Sequence, residues 1–240
     1  MIKINHLAKT IGNKKILIDV NLEVHSGEIV GFLGPNKAGK TTTMKILAGL
    51  LNPTSGEIII GDGKIPKDDI SSSVAFIPDY PLLYEKLTGR EYLNFIYSVY
   101  NLDNSSRNGK IDYMLEIFDL AEQKDDLCGN YSLGMQQKLS FASAFLRDPK
   151  ILLVDEPMNG LDPKSNKMVQ DMLVEFAANG GTVLLSTHIL DIAERICREV
   201  VVINKGKTVA YGTIPELKNM MHIESGSLID VFLAVTDKQK

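Results

Sequence analysis

The first part of the chain alternates hydrophobic and polar positions in short runs, as β-strands do. Two such runs, IKINHL and ILIDVNLEV, stand on either side of the turn sequence IGNKK, and a continuous apolar run, EIVGFLG, follows them. The alternating runs predict half-buried strands, and the unbroken run predicts a strand buried on both faces. Next, TTTMKILAGLL has the apolar spacing of a helix, which we expect to end at Asn52 and Pro53, and SGEIIIGDG predicts a further strand.

The middle of the chain, from about residue 81 to residue 127, changes to a helical pattern with runs such as REYLNFIYSVY and IDYMLEIFDL. After Ser132, helices and strands alternate. The helical runs are MQQKLSFASAFLR, SNKMVQDMLVEFAA and HILDIAERIC, and the strand runs are ILLVD, TVLLST, EVVVI and KTVAYG. Residues 215–240 predict one or two small helices. This alternation favours an α/β fold in which helices cover a mainly parallel sheet, with the helical middle part inserted as a subdomain.

Composition and charge narrow the possible functions. The chain has 240 residues, of which 44% are apolar and 23% are charged, as is typical of a soluble globular protein. Its net charge of −4 is spread over both signs without a basic tract, so we expect no nucleic-acid partner. Cys128 and Cys197 are isolated from each other and from any CxxC spacing, which indicates reduced thiols. No run of about 18 apolar residues occurs, so a membrane process would need a separate membrane partner.

The sequence GPNKAGKTT, residues 34–42, matches the phosphate-binding pattern G-x-x-x-x-G-K-[ST] between a predicted strand and a predicted helix. Backbone N–H groups of such a loop converge on phosphate oxygens, and the positive end of the helix adds to the attraction. We expect Lys40 to bridge the β- and γ-phosphates of a bound nucleotide, Thr41 to offer its hydroxyl to Mg²⁺, and Thr42 to reach the α-phosphate. The plainer alternative is a glycine-rich turn with a stray lysine. The predicted nucleotide contacts in this loop are Gly34, Pro35, Asn36, Lys37, Ala38, Gly39, Lys40, Thr41 and Thr42.

An acidic pair, Asp155 and Glu156, ends the apolar run ILLVD. The run places Asp155 at the carboxyl end of a buried strand, where ligands of such sheets bind. We expect Asp155 to hold Mg²⁺ through its water shell and Glu156 to orient or deprotonate the water that attacks the γ-phosphate. By itself, an apolar run that ends in Asp-Glu is a common strand ending. Together with the phosphate loop, it indicates a catalytic pair.

The segment YSLGM, residues 131–135, opens a predicted helix upstream of Asp155. In this arrangement the chain resembles the ATP-binding subunits of ABC transporters, whose signature is usually LSGGQ, and the resemblance covers nearly the whole chain. It implies that Ser132 and Gly134 contact the γ-phosphate of ATP held by the opposite subunit. It also separates the chain from GTPases, whose NKxD guanine motif does not occur in the sequence. The alternative for Ser132 is a helix N-cap without further function.

Three further segments match the same family. PMNGLDP, residues 157–163, resembles the D-loop, which implies that Asp162 lies near a dimer interface. STH places His188 directly after a strand, like the switch histidine that contacts the γ-phosphate, although a histidine there can also cap the following helix. IPDYPLLYEKLTGREYL resembles the Q-loop and the sequence after it, where the ATPase meets its membrane subunit. We expect most Phe and Tyr side chains of residues 80–100 to be core, with a few facing that partner as the alternative.

Four positions depart from the family's pattern. Asp79 replaces the Q-loop glutamine and remains able to enter a Mg²⁺ shell. Ile11 stands where the family carries an aromatic residue that stacks on adenine, and it offers contact area without π-stacking. Leu133 replaces the first signature glycine. Lys37 stands where glycine is usual, and if that position requires a positive φ, its Cβ costs about 1–2 kcal/mol.

The resemblance implies a single ATPase domain, residues 1–240, built on a P-loop NTPase core. We expect residues 1–80 and 131–214 to form the ATP-binding core, which includes an N-terminal antiparallel β subdomain. About residues 81–130 are expected to form the helical subdomain, and residues 215–240 a short C-terminal tail.

The expected function is ATP hydrolysis by a subunit that pairs around two ATP molecules as a homodimer, or as a heterodimer with a relative. Closure of the pair would drive export through a separate membrane-spanning transporter subunit. The resemblance implies a cytoplasmic location, peripheral on the inner face of the cell membrane. The expected cofactors are ATP and Mg²⁺. The predicted catalytic residues are Glu156, His188 and Lys40, and the predicted metal ligands are Thr41, Asp79 and Asp155.

Two alternatives from other classes stay open. The first is a nucleotide-binding regulatory module that does not hydrolyse ATP. The four departures favour it, whereas Glu156 and His188 oppose it. The second is a soluble ABC ATPase outside transport, and the single cassette and the absence of a basic patch in the sequence oppose it.

Overall fold

The structure, a computed structural model, describes residues 1–61, 73–223 and 226–237. Within these ranges nine strands form one sheet, and eight helices pack around it. The strands are β1 (Ile2–Ile11), β2 (Lys14–Val24), β3 (Ile29–Leu33), β4 (Ser55–Ile60), β5 (Val74–Ile77), β6 (Ile151–Asp155), β7 (Thr182–Ser186), β8 (Glu199–Asn204) and β9 (Lys207–Thr213). The helices are α1 (Lys40–Leu47), α2 (Gly89–Val99), α3 (Arg107–Ile117), α4 (Leu133–Phe145), α5 (Pro163–Ala178), α6 (Leu190–Ile196), α7 (Ile214–Met220) and α8 (Leu228–Asp237).

The sheet has the strand order β4-β1-β2-β9-β8-β3-β7-β6-β5. β3 pairs in parallel with β8 and β7, and β6 pairs in parallel with β7 and β5. The N-terminal strands β1, β2 and β4 pair antiparallel, as do β8 and β9, and β2 joins β9 in parallel. The predicted α/β fold, with a mainly parallel sheet and an N-terminal antiparallel β region, is therefore confirmed.

Side chains of the central strands divide between two hydrophobic layers, because successive residues of a strand point to opposite faces. One face, here called the α1 face, buries Phe32, Leu153 and Leu184 together with Met44 and Leu47 of α1. The opposite face carries the alternate residues of the same strands and packs against helices that include α4 and α5. Every residue of β3, β6 and β7 is buried, and the sequences of these strands are therefore mostly apolar, with polar residues only at the ends of β6 and β7.

The predicted helical block forms α2 and α3. α2 begins with a capping box, in which the Thr88 hydroxyl accepts from the Glu91 N–H and the Glu91 carboxylate accepts from the Thr88 N–H. Tyr97 of α2 and Phe118, which follows α3, are completely buried. The ring of Phe118 stacks on Phe141 of α4 with 6.2 Å between the centroids. The block therefore shares one hydrophobic core with the sheet.

Two elements differ from what the hydrophobic pattern predicts. α1 ends at Leu47 and not at Asn52. Gly49 adopts a φ of 74°, and Leu50 donates its N–H to the carbonyl of Lys45, which is the left-handed termination that glycine favours. The pattern also did not indicate β5, because its four residues are too few to show a period.

The C-terminal part forms two helices, α7 and α8, in agreement with the prediction of one or two small helices. α7 begins with a capping box at Thr213, and α8 buries Leu228, Val231 and Val235 against the core. The last two residues of the predicted strand SGEIIIGDG lie outside the described residues, as do residues 224–225 and 238–240 of the tail. None of the helices within the described ranges combines the length and the apolar character needed to cross a bilayer.

Leu153→Ala is expected to lower the free energy of unfolding by about 2–5 kcal/mol, because it opens a cavity between the sheet and α1. Leu233→Ala on α8 is the matched control, since that side chain is half-exposed, and we expect a change of about 0.5 kcal/mol or less. Urea unfolding of both variants measures the two values. Equal effects would contradict the assignment of Leu153 to the core.

Candidate nucleotide site

The phosphate loop connects β3 to α1 and packs against two other strands. A Cβ on Gly34 would lie 2.3 Å from the carbonyl oxygen of Ile203 in β8, so only glycine fits there. Gly39 has a φ of 118°, and a Cβ on it would lie 2.4 Å from a methyl group of Leu17 in β2. Close approach therefore requires both glycines of the pattern, and the backbone conformation of Gly39 requires glycine as well.

Lys37 occupies the left-handed region with a φ of 68°, and its side chain is exposed. Position 37 therefore has the positive φ at which a residue with a Cβ is strained. For a residue with a Cβ this conformation costs about 1–2 kcal/mol.

Lys40 is the first residue of α1, and its side chain is buried beneath the loop. Its Nζ donates to the carbonyl oxygen of Gly34 at 2.7 Å and lies 3.9 Å from Oε1 of Glu156. The ammonium group therefore lies between the carbonyl of Gly34 in the loop and the carboxylate of Glu156, which follows β6. This position suits a cation that binds phosphate oxygens.

The three predicted metal ligands, Thr41, Asp79 and Asp155, line one cavity of about 530 Å³. Asp155 is 1% exposed, and its Oδ2 has no hydrogen-bond partner among the described residues. Oδ1 of Asp79 accepts from the side-chain amide of Asn159 at 2.5 Å. Hydroxyl and carboxylate oxygens are the ligands that Mg²⁺ prefers, and this cation usually takes one or two carboxylates together with substrate phosphates. The side chains present therefore fit Mg²⁺.

The described residues contain no group of three or more His, Cys, Asp or Glu side chains that could hold a metal ion alone.

Glu156 and His188 contact each other directly across the ends of β6 and β7. Oε2 of Glu156 accepts from the backbone N–H of His188 at 3.0 Å and lies 2.7 Å from Nδ1 of its ring. The N–H of Glu156 donates to the carbonyl of Ser186 at 2.9 Å. Glu156 is largely buried, whereas the His188 ring is mostly exposed. Because His188 occupies Oε2, the other carboxylate oxygen of Glu156 is the one that faces Lys40.

Ser132 and Gly134 lie at the start of α4, next to residues 157–163. The Ser132 hydroxyl caps the helix by accepting from the Met135 N–H at 3.3 Å. A Cβ on Gly134 would lie 2.8 Å from the carbonyl oxygen of Gly160, so the two segments are in close contact. Among the described residues that line the cavity with Thr41, neither Ser132 nor Gly134 appears.

Asp162 is the N-cap of α5. Its carboxylate accepts from the N–H groups of Lys164 and Ser165 at 2.9 and 3.0 Å and from the Ser165 hydroxyl at 2.5 Å. These hydrogen bonds, with the Ser165 hydroxyl as the largest contribution, lower the pKa of Asp162 from 3.8 to about 2. The carboxylate thus has a structural role at the helix start, beside its predicted position near an interface.

Ile11 ends β1 and is half-exposed, opposite Lys14 in the β1–β2 hairpin. The same hairpin reaches the phosphate loop through Leu17, the residue that excludes a Cβ on Gly39. The contact of Ile11 with a nucleotide base stays a prediction.

The aromatic residues of the segment 80–100 divide between core and surface. Tyr92 and Tyr97 are buried, whereas Tyr80, Tyr84 and Phe95 are exposed and Tyr100 is half-buried. The expectation that most of these side chains are core is therefore wrong. The rings of Tyr84 and Phe95 meet edge to face at 5.1 Å between centroids. An exposed apolar surface, here called the aromatic patch, therefore borders the cavity, and it consists of Tyr80, Leu82, Tyr84 and Phe95.

Two residues that sequence reasoning did not single out belong to the same region. Asn159 holds Asp79 by its side-chain amide. Ser186 ends β7, is completely buried, and has an Oγ without a hydrogen-bond partner among the described residues. The feature of the sequence that could have indicated Ser186 is its position at the end of a buried strand, directly before Thr187 and His188.

A glycine-bearing loop between a buried strand and a helix, with a buried lysine and acidic side chains at a strand end of the same sheet, defines the class of P-loop nucleoside triphosphatases. The family model described as "ABC transporter" matches residues 17–159, which is more than half of the chain. The uncharacterized ABC transporter ATP-binding protein YthP of Bacillus subtilis (strain 168) is 39% identical over 219 residues, with 91% of this chain and 89% of that protein covered.

Solved structures agree with the family match. A structure of an ATP-binding subunit of an ABC transporter has a TM-score of 0.91 and 32% identity, with 98% of each chain covered. The dimeric, post-hydrolysis structure of the ATP-binding cassette MJ0796 bound to ADP and Pi has a TM-score of 0.81 and 25% identity, with 89% of this chain and 99% of that chain covered. The chain belongs to the ATP-binding subunits of ABC transporters and carries their ATPase domain.

Lys37→Gly is expected to be more stable than Lys37→Ala by about 1 kcal/mol. Both variants remove the charge, but only glycine removes the strain of about 1–2 kcal/mol, which its larger unfolded-chain entropy partly offsets. Urea unfolding measures the difference. Equal stability of the two variants would show that position 37 is not strained.

Asp162→Asn is expected to remove a pH-dependent part of the stability. Because the folded pKa of Asp162 is lowered to about 2 from 3.8, its carboxylate stabilises the fold above about pH 4, and this contribution disappears as the pH falls toward 2. The melting temperature of the native chain should therefore exceed that of Asp162→Asn near pH 6, and the difference should narrow between about pH 4 and pH 2. A difference that does not depend on pH would contradict the lowered pKa.

Proposed function

We propose that the chain hydrolyses ATP within a transporter in which two such subunits close around two ATP molecules and drive export through separate membrane subunits. We also propose that residues 1–240 act as one domain, in which residues 1–80 and 131–214 bind ATP, about residues 81–130 form the helical subdomain and residues 215–240 form the tail. The observation that carries the proposal is the cavity that unites Thr41, Asp79 and Asp155 beside the contact of Glu156 with His188.

The phosphate-binding part of the proposal assigns a role to each polar group of the loop. Backbone N–H groups of residues 34–42 would bind phosphate oxygens. The Lys40 ammonium group would give up its hydrogen bond to the Gly34 carbonyl and bind phosphate oxygens as well. Thr41, Asp79 and Asp155 would hold Mg²⁺. Bound Mg²⁺ supplies positive charge that offsets the negative charge of the phosphates during phosphoryl transfer.

Glu156 is proposed as the group that orients and deprotonates the attacking water. Its Oε2 is held by two contacts with His188, which leaves Oε1, on the side of Lys40, for the water. A carboxylate held in one orientation by a neighbour is better placed for proton transfer than one that rotates freely. His188 would therefore act both as a γ-phosphate contact and as the partner that fixes Glu156.

Pairing of two subunits would bring Ser132, Gly134 and Asp162 to the nucleotide of the opposite subunit. The dimeric form of the similar cassette MJ0796 supports this arrangement. So does the exposure of Ser132 at the start of α4, because a helix N-terminus with free N–H groups favours a phosphate. The partner is proposed to be a second copy or a relative of this chain.

The aromatic patch is proposed as the contact with the membrane-spanning subunit, which would place the ATPase in the cytoplasm, peripheral on the inner face of the cell membrane. Its residues Tyr80 and Leu82 also line the cavity that contains Asp79, so movement at the metal site would reach the patch through one short loop. Export, and not import, is supported by the resemblance of YSLGM and KLTGREYL to the ATPases of bacterial exporters.

A regulatory module that binds nucleotide without hydrolysis is the second candidate. The observation in its favour is the hydrogen bond of Asp79 to Asn159, which engages one of the three predicted metal ligands with a protein partner. The contact between Glu156 and His188 opposes it, because a binding module has no need for a positioned base.

Glu156→Gln is expected to lower kcat for ATP hydrolysis about 100-fold or more, because glutamine cannot accept the proton. ATP affinity is expected to change only a few fold, since Lys40 and the loop remain. Steady-state phosphate release measures the first quantity, and equilibrium titration with a fluorescent ATP analogue measures the second.

Glu116→Gln is the matched control, because Glu116 is exposed on α3, and we expect native values from it. A native kcat in Glu156→Gln would show that Glu156 is not catalytic. Tight ATP binding without turnover in the native chain would replace the proposed function with the regulatory module.

A further inference from the structure

Ser186, the last residue of β7, carries a buried hydroxyl that the proposed chemistry does not use. The residue is 0% exposed, and its Oγ has no hydrogen-bond partner within the described ranges. Burial of a hydroxyl without a partner is unfavourable and uncommon in folded proteins, so a group of this kind needs a physical explanation.

The sheet register places Ser186 beside Asp155. In the parallel pairing of β6 with β7, Asp155 stands opposite Ser186, and paired residues of neighbouring strands point to the same face. That face is the α1 face, because the alternate residues Leu153 and Leu184 pack there. Both side chains therefore point toward α1, and Thr41 of that helix lines the same cavity as Asp155.

Asp155 carries the complementary atom. Its Oδ2 is buried and, like Ser186 Oγ, lacks a hydrogen-bond partner in the described part of the chain. A hydroxyl can donate and a carboxylate oxygen can only accept, so the two atoms match chemically. The hydrogen bond from the Glu156 N–H to the Ser186 carbonyl holds the two strand ends together at 2.9 Å. The pairing of the two residues across neighbouring strands therefore brings the two side chains side by side on one face of the sheet.

We propose that Ser186 is a positioning residue for the metal-binding carboxylate of Asp155. In the Mg²⁺-loaded site, the Ser186 hydroxyl donates a hydrogen bond to Oδ2 of Asp155. The hydrogen bond orients the carboxylate toward the metal. This inference rests on the proposed role of Asp155 in holding Mg²⁺. Hydrogen bonds to metal-binding side chains tune metal affinity, and their loss typically lowers it about 10–100-fold. Ser186 therefore sets the affinity for Mg²⁺ and not the affinity for nucleotide itself.

Mg²⁺ titrations of the native chain, Ser186→Ala and Ser186→Thr test the proposal. ATP hydrolysis and the binding of a fluorescent ATP analogue are followed at constant nucleotide while Mg²⁺ is varied, and binding is repeated in EDTA. We expect Ser186→Ala to raise the half-saturating Mg²⁺ concentration about tenfold. Its nucleotide affinity in EDTA should equal that of the native chain. Ser186→Thr keeps a hydroxyl and should restore the native midpoint.

Thermal unfolding without ligand distinguishes positioning from a structural role. Because Ser186 Oγ has no partner in the described structure, Ser186→Ala should melt at the native temperature or above it. Thr182→Val is the matched control, since it removes a buried hydroxyl from the opposite end of β7. We expect this control to keep the native Mg²⁺ midpoint.

A native chain that hydrolyses ATP with Mg²⁺, together with an unchanged midpoint in Ser186→Ala, would overturn the positioning role and leave the proposed function intact. Absence of Mg²⁺-dependent ATP binding by the native chain would overturn both. In an Asp155→Asn background, Ser186→Ala should cause no further shift of the midpoint. An additive shift there would show that Ser186 acts through another group, and this result would also overturn the proposal.

Discussion

The parallel register of β3, β7 and β6 is the constraint on which the candidate site depends. Backbone hydrogen bonds hold Ser186 opposite both Phe32 and Asp155, so three buried strands end at one edge of the sheet. The phosphate loop leaves β3 at this edge, and Glu156 and His188 follow the ends of β6 and β7. Because both faces of these strands are close-packed, the edge cannot shift without disturbance of the core.

Two residues at the same edge have a strained backbone. Lys37 and Glu156 both have left-handed backbone, with φ values of 68° and 49°. Residues with a Cβ adopt this conformation at a cost, and they persist in it where the surroundings determine the backbone strongly. At Glu156 the turn accompanies two contacts between its carboxylate and His188, so the strained residue is also the one whose side chain is held in a single orientation.

The segment of residues 157–163 links two regions that are far apart in the sequence. At one end Asn159 donates to Asp79, which lines the cavity, and the adjacent Gly160 packs against Gly134 at the start of α4. Contacts within one short loop therefore connect Asp79, a predicted metal ligand, with the start of α4. Neither Gly134 nor Gly160 has space for a Cβ, so the loop packs closely against the start of α4. It therefore has little room to move independently of that helix.

The sequence alone determined the α/β fold and the residues of the phosphate loop, because a strand, a loop and a helix in succession must meet local rules of periodicity and residue type. It also indicated Asp155 and Glu156, since an apolar run that ends in acidic residues marks the end of a buried strand. The left-handed backbone of Lys37, the partner of Asp79 and the position of Ser186 were decided only by the tertiary structure. Those features depend on which strands become neighbours and in which register, and backbone hydrogen bonds between distant segments set both.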